Sequence, residues 1–250
     1  MHQELPNLVT LIAERFSHAQ WAHELILWEN VIFSFLVILG LLLFGYFASR
    51  KAKLIPGRLQ NFAEIIVSGV DNFVCGILGE KGRRFVPFLG TLFIYIVVMN
   101  LIGLVPFFKS STSSWSTTLA LSLCVFVYVQ YTAFKELGFL GYLDHMMGKP
   151  RGILAFSVVI PIMMFFLHIV SELVRPISLS LRLRSNVWGE DVLLGVLSNL
   201  GIGFFPLTVF SMFLAILASV VQALVFCLLS TIYFALVLTH EEKKGVEHGL

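Results

Sequence analysis

Long apolar runs without a formal charge alternate with short polar segments along this chain. A membrane-spanning helix needs about 20 consecutive apolar residues, and runs near or above that length cover residues 30–49, 85–108, 110–134, 152–171 and 192–239. The last run is far too long for one upright helix. Gly201, Gly203 and Pro206 disfavour helix, so the sequence predicts a turn near the first third of that run.

The composition indicates a membrane protein rather than a soluble domain. Hydrophobic residues make up 58% of the 250 residues, charged residues 13%, and the mean hydropathy is +0.90. The helical runs are strong, and the alternating segments of a transmembrane barrel are missing from the sequence. Between residues 51 and 84, apolar residues recur at helical spacing in a polar segment, which is typical of an amphipathic surface helix. The predicted fold class is an all-α integral membrane protein with five transmembrane helices, a cytoplasmic amphipathic helix and a final hairpin of long helices.

Lysine and arginine set the orientation, because short loops rich in these residues stay in the cytoplasm. The segment between the first two spans holds seven of them, the next loop holds only Lys109, and the later cytoplasmic segments are basic again. This alternation places the N-terminus outside and the C-terminus inside. We predict a single membrane domain divided into an outer N-terminal segment (1–29), a first span (30–49), a cytoplasmic amphipathic segment (50–84), the second and third spans (85–134), a helix hairpin (152–240) and a cytoplasmic tail (241–250).

Sequence motifs of soluble enzymes are missing from the chain. It contains no phosphate-binding GxxxxGK[ST], no dinucleotide-binding GxGxxG and no zinc-binding HExxH. Its three cysteines are far apart and form no CxxC pair. We therefore expect no catalytic residue, no cofactor, no bound metal and no nucleic-acid partner.

One face of the helix after residue 152 collects almost all of its polar groups. At about 100° per residue, seven side chains fall within about 40° of a common line, and we call them the polar stripe: His168, Glu172, Arg175, Leu179, Arg182, Asn186 and Glu190. Ser171, Ser178 and Ser185 border the stripe, and Pro176 is expected to kink the helix. Ionisable residues at bilayer depth usually face a partner or a water-filled path. Two interpretations stay open: ion pairs that hold helices together, or a route that carries protons across the apolar layer.

Gln222 is the only amide in the last helix, residues 206–239. If the chain folds back near residue 202, positions equidistant from that point face each other, and Gln222 then lies opposite Arg182. A lone glutamine more often makes a packing hydrogen bond between helices. Opposite an unpaired arginine, it becomes a candidate orienting group.

A specific motif occupies the polar stripe. Arg175-Pro-Ile-Ser-Leu-Ser-Leu-Arg182-Leu-x-x-Asn186 is followed about forty residues later by Val221-Gln222-Ala223-Leu-Val-Phe and Tyr233. Shorter pieces accompany it: Pro56 with Leu59-Gln60 and Glu64, Asn100-Leu-Ile-Gly-Leu-Val-Pro106, and Thr117-Thr-Leu-Ala-Leu-Ser. From about residue 30 to residue 240, the chain resembles subunit a of the F-type ATP synthase family.

The resemblance implies a non-catalytic, proton-translocating stator subunit in the bacterial inner membrane. Its implied partners are a rotating ring of c subunits, the b subunits of the peripheral stalk and the lipid bilayer. Arg182 would be the stator arginine, with Asn186 as its neighbour and Gln222 as its companion on the last helix, and the last two helices are expected to tilt against the ring. Because a guanidinium keeps its proton at physiological pH, Arg182 would release protons from ring carboxylates and separate two aqueous half-channels.

The two half-channels follow from the predicted topology. His168, Ser171, Glu172 and Arg175 are predicted to lie on the cytoplasmic path with Ser178 beside them, and Glu190 and Asp191 on the outer path. Helix geometry puts Glu190 on the stripe, whereas a gap-free comparison puts the family's usual acid at Asp191. We expect both acids to line the path from different sides.

The chain departs from the family pattern at several positions. Many members have Phe-Gly at residues 184–185 and the reverse order of His168 and Glu172. Some members have a histidine at Ala215 and a glycine at Glu190. An acidic group is therefore expected to have moved between the last two helices. The alternative function is a secondary transporter or ion exchanger with an arginine at mid-membrane, which predicts inverted repeats; the sequence shows none.

Overall fold

The computed structural model describes residues 28–50, 57–105, 108, 110–147, 156–199 and 205–248. Within them the chain forms six α-helices: α1 (Glu29–Ser49), α2 (Arg58–Leu78), α3 (Val86–Gly103), α4 (Trp115–Met147), α5 (Phe156–Asn199) and α6 (Phe205–His248). Two 3₁₀ turns, Glu80–Phe85 and Ser111–Ser113, precede α3 and α4. The predicted outer segment before residue 28 and the predicted hairpin turn at residues 200–204 lie outside the described residues.

All six helices are long and apolar enough to cross a membrane, judged by length and composition. The predicted all-α class is therefore confirmed, and so is the prediction that the chain crosses a membrane several times. The sequence predicted five spans and a surface helix, and α2, which corresponds to that surface helix, meets the same criterion as the others. The surface location of α2 stays a prediction.

Two glycines end helical segments because glycine adopts the left-handed backbone without strain. Gly79, with φ of +67°, caps α2 at its C-terminus. Gly138, with φ of +68°, interrupts α4, so that the chain turns there into a second helical piece ending at Met147. The predicted third span, residues 110–134, corresponds to the first piece of α4.

The packed core lies where α3, α4, α5 and α6 meet, and α2 adds Val70 and Val74 to it. The rings of Phe85 and Phe234 stack with centroids 4.5 Å apart, and Tyr128 of α4 approaches Phe234 edge-on at 5.4 Å. By contrast, α1 buries only Phe33 and Val37 among its apolar residues. Most of its apolar surface is exposed, as expected for a helix that faces lipid.

The two longest helices, α5 and α6, contain 44 residues each. At about 1.5 Å per residue, each is about 66 Å long, roughly twice the ~30 Å thickness of the hydrocarbon core. They run antiparallel, because Arg175 near the middle of α5 meets Tyr233 and the later Glu190 meets the earlier Ser219. α5 continues through Pro176 without interruption, so the expected kink does not divide the helix.

The loop before α4 is polar in sequence and deeply buried in the structure. Ser110, Ser111 and Thr112 are at most 1% exposed. The Ser111 hydroxyl donates to the Asn30 carbonyl of α1, and the Thr112 hydroxyl donates to Asn100 Oδ1 of α3 at 2.7 Å. These hydrogen bonds join α1 and α3 and hold the loop in place beside α5.

Candidate functional site

The polar stripe follows one edge of the buried face of α5. Leu179, Leu183 and Val187 mark that face and are at most 3% exposed. On the other side of the stripe, the three bordering serines are exposed. The stripe thus separates the packed interior from the exposed surface of the helix.

Arg182 lies on this edge with its side chain exposed. Within the described part of the chain, no residue accepts a hydrogen bond from Arg182 or forms an ion pair with it. Apolar and hydroxyl side chains share the exposed surface beside it: Leu181 is 41% exposed, and Ser178 and Ser185 are exposed one turn before and after it. A guanidinium on an apolar surface needs water or an anion to satisfy its charge.

Arg175, two turns earlier, is held by three helices. Its Nη1 lies 2.9 Å from Glu172 Oε1, and its guanidinium carbon lies 5.2 Å from the centre of the Tyr233 ring on α6. Gln130 Nε2 of α4 donates to the other oxygen of Glu172, Oε2, at 2.6 Å. Here the arrangement agrees with the ion-pair interpretation of the stripe.

Glu190 lies at the other end of the stripe, between α5 and α6. Asn186 Nδ2 donates to its Oε1 at 3.0 Å, and Ser219 Oγ donates to its Oε2 at 3.3 Å. An open cavity of about 290 Å³ adjoins this group and is lined by Ser185, Asn186, Gly189, Glu190, Leu193, Leu194, Ser211, Leu214, Ala215 and Ala218. The cavity gives Glu190 a polar-edged space in which water fits.

A second polar edge of α5 carries Arg184 and Asp191. The Arg184 Nε donates to the Ser113 carbonyl at 3.3 Å, and its guanidinium carbon lies 5.1 Å from the centre of the Trp115 ring. Ser113 belongs to the loop before α4, and Trp115 is the first residue of α4. Asp191 falls about 100° from Glu190 around the helix and is not among the residues lining the cavity.

Gln222 is 7% exposed, and its Nε2 has no hydrogen-bond partner within the described residues. The contacts of Arg175 with Tyr233 and of Glu190 with Ser219 are both symmetric about a point near residue 204. This symmetry puts Gln222 opposite Asn186 and leaves Arg182 opposite Phe226. A turn centred on residue 202, as the sequence predicted, gives a hairpin register that differs from these contacts by about one helical turn.

Two residues of the site were missed by sequence reasoning, Gln130 and Ser219. Gln130 is the only amide in residues 115–134, and this signal in an apolar helix was available in the sequence. Ser219 is fully buried and looks like an ordinary packing serine. The remaining predicted residues, His168, Ser171 and Ser178, lie on or beside the part of the stripe that precedes Arg182. Among the described residues, no group of three or more His, Cys, Asp or Glu could hold a metal ion.

Comparison with known proteins links this arrangement to one family. The model of the ATP synthase A chain matches residues 31–235. The chain is 42% identical to the ATP synthase subunit a of Protochlamydia amoebophila over 251 residues, which cover 97% of this chain and 92% of that protein. It is 39% identical to the corresponding subunit of Solidesulfovibrio magneticus over 220 residues, or 87% of each chain, and 41% identical to that of Desulfotalea psychrophila over 205 residues, or 81% of each.

Proposed function

The chain belongs to the ATP synthase A chain family, and on that premise we propose that it is the proton-translocating stator subunit of an F-type ATP synthase. It is a membrane subunit and not the catalytic part of the complex. Its partners in this proposal are a c-ring, the b subunits of the peripheral stalk and the lipid of a bacterial inner membrane. The N-terminus faces outside and the C-terminus faces the cytoplasm, following the basic loops.

The unpaired, exposed guanidinium of Arg182 is the observation that carries this proposal. An arginine at the centre of a membrane helix costs about 2.5–3.5 kcal/mol on insertion scales, and nothing in the described part of this chain compensates it. A ring carboxylate arriving at this surface would supply the missing charge. The fixed positive charge favours the ionised form of that carboxylate, so the proton leaves before the carboxylate passes.

The outer half-channel, in this proposal, runs through the cavity beside Glu190. Asn186 and Ser219 hold both carboxylate oxygens of Glu190 at the cavity wall, and the small side chain of Ala215 lines the same cavity. Glu190 then passes protons between cavity water and the ring. Asp191 lies on the second edge of α5, outside the cavity lining, and influences the protons in the half-channel only through its negative charge.

The cytoplasmic half-channel lies on the other half of the stripe. His168, Ser171, Glu172, Arg175 and Ser178 provide its polar lining in this proposal. Arg182 separates it from the outer half-channel, and Gln222, buried between the helices, provides an amide near the point of separation. A membrane potential contributes about 2.3 kcal/mol per charge per 100 mV, which drives protons from one half-channel to the other by way of the ring.

Substitution of Arg182 tests the proposed function. In membranes that carry the assembled synthase, Arg182→Ala should abolish ATP-driven proton pumping, measured as acidification of inverted vesicles and normalised to the amount of complex. Arg184→Ala removes the same charge from the opposite edge of the helix and should leave pumping per complex close to wild type. Coupled pumping by Arg182→Ala at the wild-type rate would refute the assignment. The transporter alternative predicts an arginine-dependent uptake of an anionic solute by the chain without a ring.

A further inference from the structure

We propose that Gln130 is a positioning residue that, through Glu172, holds the Arg175 guanidinium against Tyr233 and away from the ring-facing surface. Arg182 is thereby the only arginine of the polar stripe that a ring carboxylate meets. This inference rests on the proposed function, because it concerns the surface that faces the ring. It assigns a role to a residue of α4, outside the two helices that carry the other candidate residues.

The hydrogen-bond geometry around Glu172 supports this role. Both carboxylate oxygens are engaged, Oε1 by Arg175 at 2.9 Å and Oε2 by Gln130 at 2.6 Å. Bonds to a charged acceptor are stronger than neutral ones, and two of them from different helices leave the carboxylate little freedom to turn. Glu172 therefore holds a fixed orientation between α4 and α5.

The orientation of Glu172 determines where Arg175 lies. With its Nη1 on Glu172, the guanidinium of Arg175 stands 5.2 Å from the Tyr233 ring centre, within the range of a cation–π contact. The side chains of Arg175 and Glu172 are only 25% and 19% exposed. The pair fills the space between α4, α5 and α6, whereas Arg182 remains on the exposed surface.

Spacing explains why a loose Arg175 would be harmful. Arg182 lies seven positions after Arg175, which corresponds to about 10 Å along the helix on the same stripe. A ring carboxylate that leaves Arg182 toward the cytoplasmic path would then meet a second guanidinium. That second charge would also favour the ionised carboxylate and delay its protonation. Glutamine suits this role because its amide is a neutral donor. It orients the Glu172 carboxylate without adding a cation that would compete with Arg175 for that carboxylate.

The test combines loss of the amide with loss of the ion pair. Gln130→Leu keeps the approximate volume and removes the donor, and we expect about a ten- to hundredfold lower rate of ATP-driven proton pumping per complex, by the general loss of a hydrogen bond to a charged group. In a background that carries Glu172→Leu and Arg175→Leu together, no guanidinium needs to be held. Gln130→Leu should then cause no additional loss. Gln130→Met, which keeps the length of the side chain, replaces Gln130→Leu if that variant does not assemble.

The matched control is Thr132→Val on the same helix. Thr132 is buried, whereas Gln130 is half-buried, and within the described residues the Thr132 hydroxyl donates only to the Tyr128 carbonyl of its own helix, at 2.9 Å. Pumping by Thr132→Val should equal that of the wild type. An equal loss on Gln130→Leu in both backgrounds would mean that Gln130 only packs α4 against α5, and wild-type pumping by Gln130→Leu would also overturn the inference. If Arg182→Ala pumps normally, the proposed function itself fails, which is a separate outcome.

Discussion

Arg175 and Arg182 occupy the same edge of the same helix, two turns apart, and yet have opposite environments. Arg175 is held by a carboxylate of its own helix and an aromatic ring of α6, with an amide of α4 behind the carboxylate. Arg182 is exposed and has neither a hydrogen bond nor an ion pair within the described residues. The difference arises from the neighbouring helices, because the two arginines have the same position relative to the stripe.

This contrast bears on the two interpretations that the sequence left open. The ion-pair interpretation fits the Arg175 end of the stripe, where the structure shows the pair with Glu172. It does not fit Arg182, which has no acidic partner in the described part of the chain. A charge kept unpaired at a membrane surface lowers the stability of the isolated subunit, which is reasonable if a partner subunit supplies the counter-charge.

Exchange of each arginine for lysine should give the largest contrast. Arg182→Lys should lower ATP-driven proton pumping by about a hundredfold or more, because a compact ammonium does not reproduce the planar, weakly hydrated guanidinium. Arg175→Lys should retain most of the rate, since an ammonium still pairs with Glu172 and still contacts Tyr233. Pumping by inverted vesicles measures both. Equal losses in the two variants would mean that the environments described here do not determine function.

The sequence predicted the parts of the fold that depend on local periodicity. The bounds of α1 match the predicted first span to within one residue, and the polar stripe indicated which residues of α5 share an edge. The partners of that edge were not predictable in the same way. Gln130 and Ser219 reach Glu172 and Glu190 from other helices, and periodicity within one helix says nothing about the axial offset between two. The one-turn difference in the hairpin register has the same origin.

The outer acids should differ in the size of their effects. Glu190→Gln should slow passive proton flux by about tenfold, because Glu190 is the acid that borders the open cavity and general acid–base groups contribute at least this much to proton transfer. Asp191→Asn should slow the same flux by only about twofold, because its charge acts from the other edge of α5. The flux is measured through membranes from which the catalytic sector has been removed. A larger effect of Asp191→Asn would assign the relay to the second edge and leave Glu190 a structural partner of Ser219.

Disulfide formation can sharpen the register of α5 against α6. In a background in which Cys75, Cys124 and Cys227 are replaced by alanine, Asn186→Cys with Gln222→Cys should crosslink several-fold more than Arg182→Cys with Gln222→Cys. The first pair is opposite in the register set by the Glu190–Ser219 contact, and a disulfide requires Cα atoms within about 7 Å. The yields are compared on non-reducing gels after mild oxidation. Preferential crosslinking of residues 182 and 222 would restore the register that the sequence alone suggested.

Arg184 should show the smallest effect, and one on stability instead of transport. Arg184→Ala removes the hydrogen bond to the Ser113 carbonyl and the contact with the Trp115 ring. A partly exposed cation–π contact is worth about 0.5–1 kcal/mol, which corresponds to a fall of about 1–4 °C in the thermal transition of a chain of this length. The transition of the purified complex, followed by tryptophan fluorescence, measures this change.

A double-mutant cycle completes the test of Arg184, since Trp115→Leu should destabilise the chain by a similar amount. The two substitutions together should cost less than the sum of the single losses, because either one alone already breaks their contact. Strict additivity would show that Arg184 and Trp115 do not act on each other. A loss of pumping per complex in Arg184→Ala comparable to that in Arg182→Ala would contradict the division of α5 into a ring-facing edge and an edge that holds the outer loop.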